Sequence, residues 1–320
     1  MQDTFGRKIT YMRLSVTDLC NLRCRYCMPE EGIAGKLRHP EMLTEDEMID
    51  AVKAAASLGV SKIRLTGGEP LIKKNIVSIC RRIHEIPGIT QIAITTNGTL
   101  LPRYALPLKE AGLDRVNISL DTLVPEKYAR MTRRGNFDDA WKGLMTALDT
   151  GFERVKINAV LIGGFNDDEI EDLAGLTLKY PVDMRFIELM PMYDSGDFGQ
   201  DALIPGETVL RRLPELQEIE AHTGGQVAKM YRFPDAPGRV GLINPLSHAF
   251  CSECNRIRLT ADGKLKPCLH SRTEIPIKGL DLEGMKEKMK EAILAKPGQH
   301  EAMDAEHRSD AGRNMNEIGG

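Results

Sequence analysis

The sequence lacks the features that would place the chain in a membrane or on a nucleic acid. It carries 43 Lys and Arg against 46 Asp and Glu, a formal net charge of -3, which removes the general electrostatic case for a nucleic-acid partner. No run approaches the roughly 20 apolar residues that a spanning helix needs, and the N-terminal stretch has no apolar core of a secretion signal. With 42% hydrophobic and 28% charged residues, the 320-residue chain is expected to be globular and cytoplasmic.

Cysteine is scarce as well, and its distribution is uneven. Cys80 stands alone at helical spacing with Ile76, Ile79 and Ile83, where we expect it to be buried as a small hydrophobic side chain. In a reducing compartment, tight groups of cysteines indicate metal ligation rather than disulfides. The other six of the seven cysteines form two such groups: Cys20, Cys24 and Cys27, then Cys251, Cys254 and Cys268.

Six short β-branched runs alternate with helical patterns through the first 190 residues. The first helix is expected between Thr44, which forms a capping box with Glu47, and Gly59. This alternation predicts a parallel sheet covered by helices. The predicted strands are 10–16, 62–66, 91–96, 115–120, 154–160 and 183–189, and further helices are predicted over about 74–86, 103–111, 137–150 and 167–179.

The two faces of these strands differ in polarity. Side chains alternate between the faces of a strand, and here one face is apolar while the other is polar and carries several cations. A closed TIM barrel has a branched apolar interior, and six units are two short of closure. The pattern therefore predicts an incomplete (β/α)6 partial TIM barrel around a wet cationic lumen, although solvent exposure would explain any single cation nearly as well. The polar face includes Arg13, Lys62, Arg64, Thr95, Lys156 and Arg185.

The pattern changes after about residue 190. Loops rich in Gly and Pro are followed by predicted strands near 227–233 and 239–243, a hairpin turned at Asp262–Gly263, and a helix over about 280–294. We therefore divide the chain into a partial barrel, 1–190, and a C-terminal region, 191–320, that covers its open side.

The first cysteine triplet, C-x3-C-x2-C, directly follows the first predicted strand. In β/α barrels this end of the strands carries the active site. A 4Fe-4S cluster takes four ligands, so three cysteines leave one iron open. A zinc site would need a distant fourth ligand such as His39, and a redox pair formed by Cys24 and Cys27 would leave Cys20 unexplained. An open iron-sulfur site is the favoured interpretation.

The second triplet, C-x2-C-x13-C, has a histidine two positions after its last cysteine. It is either a closed site in which His270 completes four zinc ligands, or an open cluster site. Arg256 and Arg258 follow at alternate positions of a strand and so point to one face. Paired cations have no evident use beside a structural zinc, but exposed strand arginines are common.

The first triplet, read as Cys20-x3-Cys24-x-Tyr26-Cys27 together with Gly67-Gly68-Glu69-Pro70, resembles the radical S-adenosylmethionine superfamily. The resemblance implies that the open iron chelates S-adenosylmethionine, whose reductive cleavage yields a 5'-deoxyadenosyl radical. It also implies the residues that line the S-adenosylmethionine site: Tyr26, Gly68, Ser119 and Met190.

The stretches CNLRCRYCMP, LTGGEPL, TTNG, NISLD, RFIELM, CSECNRIRLTADGKLKPCL and NMNEIGG, in this order, closely resemble the GTP 3',8-cyclase family of molybdenum cofactor biosynthesis. The resemblance implies a second 4Fe-4S cluster at the second triplet, with an open iron that binds the guanine of GTP. The radical would abstract hydrogen from C3', and C3' would then attack C8 to give (8S)-3',8-cyclo-7,8-dihydroguanosine 5'-triphosphate. Implied GTP contacts are Arg13, Arg64, Thr95, Lys156, Arg256, Ile257 and Arg258, and implied catalytic residues are Arg256, Arg258, Gly319 and Gly320.

The resemblance further implies an electron donor of the flavodoxin or ferredoxin type, transfer of the product to cyclic pyranopterin monophosphate synthase, and a homodimer. Two alternatives stay open at this point. One is another radical S-adenosylmethionine enzyme with an auxiliary cluster, and the other is a zinc-binding scaffold protein.

Overall fold

A computed structural model describes residues 1–32, 37–192, 198–220, 227–304 and 306–319. Within these residues one sheet contains twelve strands. They are β1 (Tyr11–Ser15), β2 (Lys62–Thr66), β3 (Gln91–Thr96), β4 (Arg115–Ser119), β5 (Arg154–Leu161), β6 (Val182–Glu188), β7 (Gln217–Ile219), β8 (Lys229–Arg232), β9 (Arg239–Ile243), β10 (Arg256–Leu259), β11 (Lys264–Lys266) and β12 (Ile275–Pro276).

The helices follow the predicted alternation. The capping box at the start of the first helix is confirmed, since the Thr44 hydroxyl accepts from the Glu47 N–H and the Glu47 carboxylate accepts from the Thr44 N–H. Two short helices, α4 (Pro125–Thr132) and α7 (Glu207–Arg212), were not predicted, because neither is long enough to show a clear apolar periodicity. The helices are α1 (Glu45–Ser57), α2 (Ile76–His84), α3 (Leu101–Glu110), α4 (Pro125–Thr132), α5 (Phe137–Thr150), α6 (Ile170–Lys179), α7 (Glu207–Arg212) and α8 (Leu282–Leu294).

The strand order is β12-β11-β10-β1-β2-β3-β4-β5-β6-β9-β8-β7. Strands β1 to β6 are parallel, as the β/α alternation predicted. Two C-terminal strands extend this parallel row, because β10 pairs with β1 and β9 pairs with β6. The sheet is therefore mixed, and it runs without interruption across the boundary predicted near residue 190.

The core lies between the apolar face of the parallel strands and the helices. Met12 and Leu14 of β1 are in register with Ile63 and Leu65 of β2, and none of the four has exposed surface. Cys80 of α2 is also fully buried in this core, as predicted, and burial raises the pKa of its thiol to about 12. The helix-facing side of the sheet therefore provides the hydrophobic stabilisation and leaves the opposite side free for chemistry.

The segment 244–255 connects β9 to β10, which stand at opposite ends of the parallel row. It carries Cys251 and Cys254 across that span, and the β10–β11 hairpin then returns the chain to Cys268. The hairpin turns at Asp262–Gly263 as predicted, with Gly263 at a φ of 78°, a conformation that glycine adopts without strain. None of the helices in the described ranges has the length and apolarity that crossing a membrane requires.

Candidate active site

One cavity, of about 280 Å³, lies against the polar face of the parallel strands. Its lining includes side chains from both ends of the parallel row, so the sheet curves around it. The strand residues that line it are Tyr11 and Arg13 (β1), Arg64 (β2), Thr95 (β3), Ser119 (β4), Asn158 (β5), Arg185 (β6), Ile243 (β9), and Arg256 and Arg258 (β10). Strand parity had therefore predicted correctly that most of the polar face shares one cavity.

The cavity has a strongly positive wall. Burial lowers the pKa of Arg185 and Arg258 to about 10 each, and neighbouring arginines contribute in the same direction. Burial and then Arg258 and Arg64 lower the pKa of Arg13 well below its ordinary value. Like charges held this close are unfavourable without an anion, so the wall is suited to a ligand that carries several negative charges.

Lys156 of β5 lies beside this wall and not in the cavity lining itself. It is buried, and burial followed by Arg185 and Arg64 lowers its pKa to about 6, against the opposing effect of Asp183. An incoming anion would raise this pKa and restore the positive charge of the lysine.

Several buried polar atoms of the cavity lack a hydrogen-bond partner within the described residues. Buried polar groups are normally paired, because leaving one unpaired costs about 1–3 kcal/mol. A polar ligand in the cavity would remove this cost. The atoms are the Tyr11 hydroxyl, Arg64 Nε, Thr95 Oγ1, Asn158 Oδ1 and Arg185 Nε.

The first cysteine triplet lies on the loop after β1. The loop is fixed by backbone hydrogen bonds, including Arg23 N to Thr132 O at 2.9 Å and Cys27 N to Cys24 O at 2.9 Å. Burial raises the pKa of Cys20 to about 11 and of Cys27 to about 12, and it raises that of Cys24 well above its ordinary value. Negative charge on one sulfur raises the pKa of another, so three thiolates here require positive charge, which a bound iron-sulfur cluster supplies.

Gly68 supports this loop through its backbone. Its N–H donates to Thr17 O at 2.8 Å, and a Cβ at this position would lie 2.2 Å from Leu19 O. The next residue, Glu69, donates its N–H to Leu19 O at 2.7 Å. The glycine-rich stretch after β2 thus packs directly against the segment that leads into the first triplet. Its predicted contact with S-adenosylmethionine stays a prediction.

Tyr26, Ser119 and Met190, the other residues predicted to line the S-adenosylmethionine site, all line the cavity. The Tyr26 hydroxyl donates to Asp121 Oδ2 at 2.9 Å. Asp121 was missed as a site residue, although it closes the NISLD stretch at the end of β4. Burial raises the pKa of its carboxyl group to about 6.

The second triplet lines the same cavity as Tyr26 and the cationic wall. Burial opposes ionisation of Cys254, but Arg256 and Lys296 outweigh it and lower the pKa of this thiol to about 7. Arg256 is further fixed over the Phe250 ring, with its guanidinium carbon 5.0 Å from the ring centroid. Cations beside the triplet therefore favour the thiolate form that ligates iron.

The zinc alternative depends on His270. Its Nδ1 lies 2.8 Å from Ser309 Oγ, and its ring centroid lies 4.8 Å from that of His300. In the described part of the chain, no three His, Cys, Asp or Glu side chains are arranged to hold a single metal ion. The thiolates of a cubane bind different irons, so their spacing does not need to satisfy a single-ion geometry.

The C-terminal tail reaches the polar face of the sheet. Arg258 donates to Gly319 O at 2.9 Å, and Ile318 is fully buried. Gly319 has a φ of 70°, and a Cβ there would lie 2.5 Å from Thr66 Oγ1. Both features strongly favour glycine at this position. Gly320, the other predicted tail residue, lies outside the described residues.

The prediction of a GTP contact by Ile257 is not supported for its side chain. Ile257 is 2% exposed and packs in the core, because β10 directs only Arg256 and Arg258 to the cavity. Lys296 and His300 line the cavity and were both missed. They follow α8 far from any motif, so no local pattern indicated them.

The parallel sheet and the cysteine triplet on the loop after its first strand are typical of the radical S-adenosylmethionine class of proteins. Comparison with known proteins gives the same class. Residues 14–177 match the model of the Radical SAM superfamily, and residues 182–302 match Molybdenum Cofactor Synthesis C. The chain is 51% identical over 325 residues to a GTP 3',8-cyclase of Alkaliphilus oremlandii (strain OhILAs), with 100% of both chains covered. It is 47% identical to one of Alkaliphilus metalliredigens (strain QYMF), again with 100% of both chains covered. The chain belongs to the GTP 3',8-cyclase family.

Solved structures of lower identity share the fold. Streptococcus suis SuiB bound to S-adenosylmethionine superposes with a TM-score of 0.65 at 14% identity, covering 84% of this chain and 63% of that one. The anSMEcpe structure with bound AdoMet gives a TM-score of 0.58 at 14% identity, covering 92% of this chain and 82% of that one.

Proposed function

We propose that the chain converts GTP to (8S)-3',8-cyclo-7,8-dihydroguanosine 5'-triphosphate, the first step of molybdenum cofactor biosynthesis, in an incomplete (β/α)6 barrel. Residues 1–190 form the radical S-adenosylmethionine barrel, and residues 191–320 cover its open side. One observation carries the proposal: a single cationic cavity is lined both by Tyr26 and Met190, from the S-adenosylmethionine side, and by the second triplet of cysteines.

Cys20, Cys24 and Cys27 would hold a 4Fe-4S cluster with one iron left for S-adenosylmethionine, and the bound pair would supply radical chemistry by reductive cleavage of S-adenosylmethionine. Around the cofactor, Tyr26, Ser119 and Met190 line the pocket. Gly68 keeps the backbone after β2 close to the cysteine loop, where a side chain would collide with Leu19. Asp121 holds the Tyr26 hydroxyl and so fixes the aromatic ring.

Cys251, Cys254 and Cys268 would hold the second 4Fe-4S cluster, and three protein ligands would leave a position for the guanine of GTP. Two observations support this assignment. Cations lie next to the triplet, and His270, which a zinc site would need as its fourth ligand, is hydrogen-bonded to Ser309. The residues that hold GTP are Arg13, Arg64, Thr95, Lys156, Arg256 and Arg258, and Ile257 contributes through its backbone.

These residues position the ribose between the two ends of the cavity. Charge-assisted contacts to a triphosphate are strong in a partly dry site, and fixing the reacting atoms can contribute several kcal/mol to the rate. Hydrogen would leave C3' for the cofactor, and C3' would bond to C8 as the C8–N7 double bond opens. One electron from the external reductant and one proton would then complete the product. Arg256 and Arg258 stand where that charge change occurs, and Gly319 of the C-terminal tail lies beside Arg258.

The proposal includes three partners: a reductant of the flavodoxin or ferredoxin type, cyclic pyranopterin monophosphate synthase as the consumer of the product, and a second copy of the chain in a homodimer. These partners rest on the family alone.

The test is an anaerobic reconstitution followed by incubation with GTP, S-adenosylmethionine and dithionite. Two cubanes predict about eight iron and eight sulfide per chain, and 5'-deoxyadenosine should form only when GTP is present. Cys268→Ala should lose about half of the iron and the GTP-dependent turnover. The matched control Cys80→Ala should keep both, because Cys80 is buried in the core away from the cavity.

Three outcomes would sink the proposal. 5'-Deoxyadenosine formation that does not depend on GTP would favour another radical S-adenosylmethionine enzyme. Zinc in place of iron would favour the scaffold protein. An iron content of about four per chain would show that the second triplet holds no cluster.

A further inference from the structure

Lys296 is a buried cation next to the second triplet that the proposed reaction leaves without a role. It follows α8, is 4% exposed, and lines the cavity. Its ammonium donates to Arg256 O at 2.9 Å and to Pro267 O at 2.8 Å. Arg256 lies two residues after Cys254, and Pro267 lies directly before Cys268. One side chain therefore joins the two segments that carry these cysteines.

The charge of Lys296 has no carboxylate to balance it within the described residues, since its hydrogen bonds there go to neutral carbonyl groups. Lys266 provides the contrast. It is equally buried, but its ammonium lies 3.4 Å from the Glu274 carboxylate. A buried ammonium without a counter-ion costs several kcal/mol. Such a cost next to three cysteines is removed when a negatively charged group is bound there.

Lys296 lies close enough to the triplet for its charge to act there, because its ammonium contacts the residue directly before Cys268 and the residue two positions after Cys254. Hydrogen bonds and net charge around an iron-sulfur cluster set its reduction potential, and groups behind the ligands hold them in place.

We propose that Lys296 is a positioning residue for the second triplet: its ammonium holds the Cys254 and Cys268 segments together and supplies the counter-charge for the anionic iron-sulfur cluster bound there. This inference rests on the proposed function, because it requires a cluster at that triplet. A nearby positive charge stabilises the more negative, reduced form, so removing it should lower the reduction potential.

Three variants separate the two roles. Lys296→Gln keeps two N–H donors for the carbonyl groups but removes the charge, and Lys296→Arg keeps the charge. Lys296→Met removes both. Lys266→Met is the matched control, because it removes a buried lysine that is already balanced by Glu274.

The measurements are the iron content after anaerobic reconstitution and an EPR-monitored reductive titration. The titration uses a background in which the first triplet is replaced by alanine, so that only the second cluster contributes to the signal. Lys296→Gln should keep this cluster but lower its reduction potential by at least about 59 mV, which makes one-electron reduction tenfold less favourable. Lys296→Met should lose at least half of the iron, while Lys296→Arg and Lys266→Met should behave like the parent protein.

A wild-type potential in Lys296→Gln would overturn the counter-charge role, and parental iron content in Lys296→Met would overturn the positioning role. If Lys296→Met does not fold, the reduction potential of Lys296→Gln still decides the counter-charge role. The iron content of Lys296→Gln should match that of the parent protein, because glutamine keeps the N–H donors, and a loss of iron would overturn the positioning role. Failure of the proposed function is distinguishable, because the wild-type protein itself would then bind only about four iron per chain.

Discussion

Arg313 fastens the C-terminal tail to the β10–β11 hairpin, and its removal should release the tail. Its guanidinium donates to Asp262 Oδ2 at 2.9 Å and to Glu274 Oε2 at 2.7 Å. The three side chains are between 14% and 17% exposed. Six residues further along the chain, Gly319 receives the hydrogen bond from Arg258. Arg313 is therefore the charged anchor nearest to the part of the tail that contacts Arg258 of the cavity wall.

The magnitude follows from burial. A hydrogen bond to a charged group contributes about 1.5–3 kcal/mol, and Arg313→Met removes bonds to two carboxylates. The neighbouring ammonium of Lys264 lies 3.0 Å from Glu274 and 3.5 Å from Asp262, so both carboxylates keep a partner. We expect the tail to lose about 2–3 kcal/mol of local stability, which corresponds to an opening equilibrium about 30- to 150-fold larger.

Amide hydrogen exchange followed by mass spectrometry measures this opening directly. A peptide covering 306–319 contains the Ser309 N–H, which donates to Pro191 O at 2.8 Å and should exchange faster when the tail opens. Arg272→Met is the matched control, because Arg272 pairs with Asp310 on the same tail but is 80% exposed. Exposed pairs contribute little, so this variant should change exchange by a few-fold at most.

Two results would refute this reasoning. Exchange in Arg313→Met equal to that of the wild type would mean that the apolar contacts of the tail hold it alone. An equal effect of Arg272→Met would mean that burial of the ion pair is irrelevant.

The same anchor predicts a pH dependence. Burial raises the pKa of the Asp262 and Glu274 carboxyl groups, but hydrogen bonds from Arg313 outweigh this effect. Both pKa values therefore lie below the ordinary values of 3.8 and 4.5. A lowered carboxyl pKa contributes stability that is present above the ordinary value and is lost as pH falls through the folded value. Protection of the tail should thus be constant near neutral pH and decline below about pH 4.5. In Arg313→Met this decline should be weaker.

Three further substitutions test the cavity. Gly68→Ala places a methyl group 2.2 Å from Leu19 O, so it should displace the cysteine loop and halve the iron content while the second cluster remains. Gly319→Ala brings a methyl group within 2.5 Å of Thr66 Oγ1 at a φ of 70°. It should reduce GTP turnover at least tenfold without loss of iron, and unchanged turnover would mean that the tail does not enter the working site. Arg256→Gln should impair GTP turnover with iron content intact, and loss of iron instead would assign Arg256 a structural role.

The sequence alone determined what depends on near neighbours in the chain. Three such features are the cysteine spacing, the capping box at Thr44 and Glu47, and the turn at Gly263. Each is local, so a few adjacent residues are enough to predict it. Strand parity is local too, since alternation along a strand separates the two faces whatever the partner strands are. It correctly assigned Arg13 and Arg64 to a shared cavity before any tertiary contact was known.

Only the tertiary structure decided what depends on pairing between distant segments. The addition of β9 and β10 to the parallel row joins residues more than 50 positions apart, and no local pattern encodes such a partner. Lys296 contacts Arg256 and Pro267 across 40 and 29 positions, so its place beside the second triplet was not readable from its neighbours in the chain. The Ile257 side chain lies in the core and not in the cavity lining, because the register of β10 on β1 pairs it with Met12. Cysteine spacing thus predicted the cluster ligands and strand parity predicted the cations, while strand register and long-range packing decided which of these residues meet.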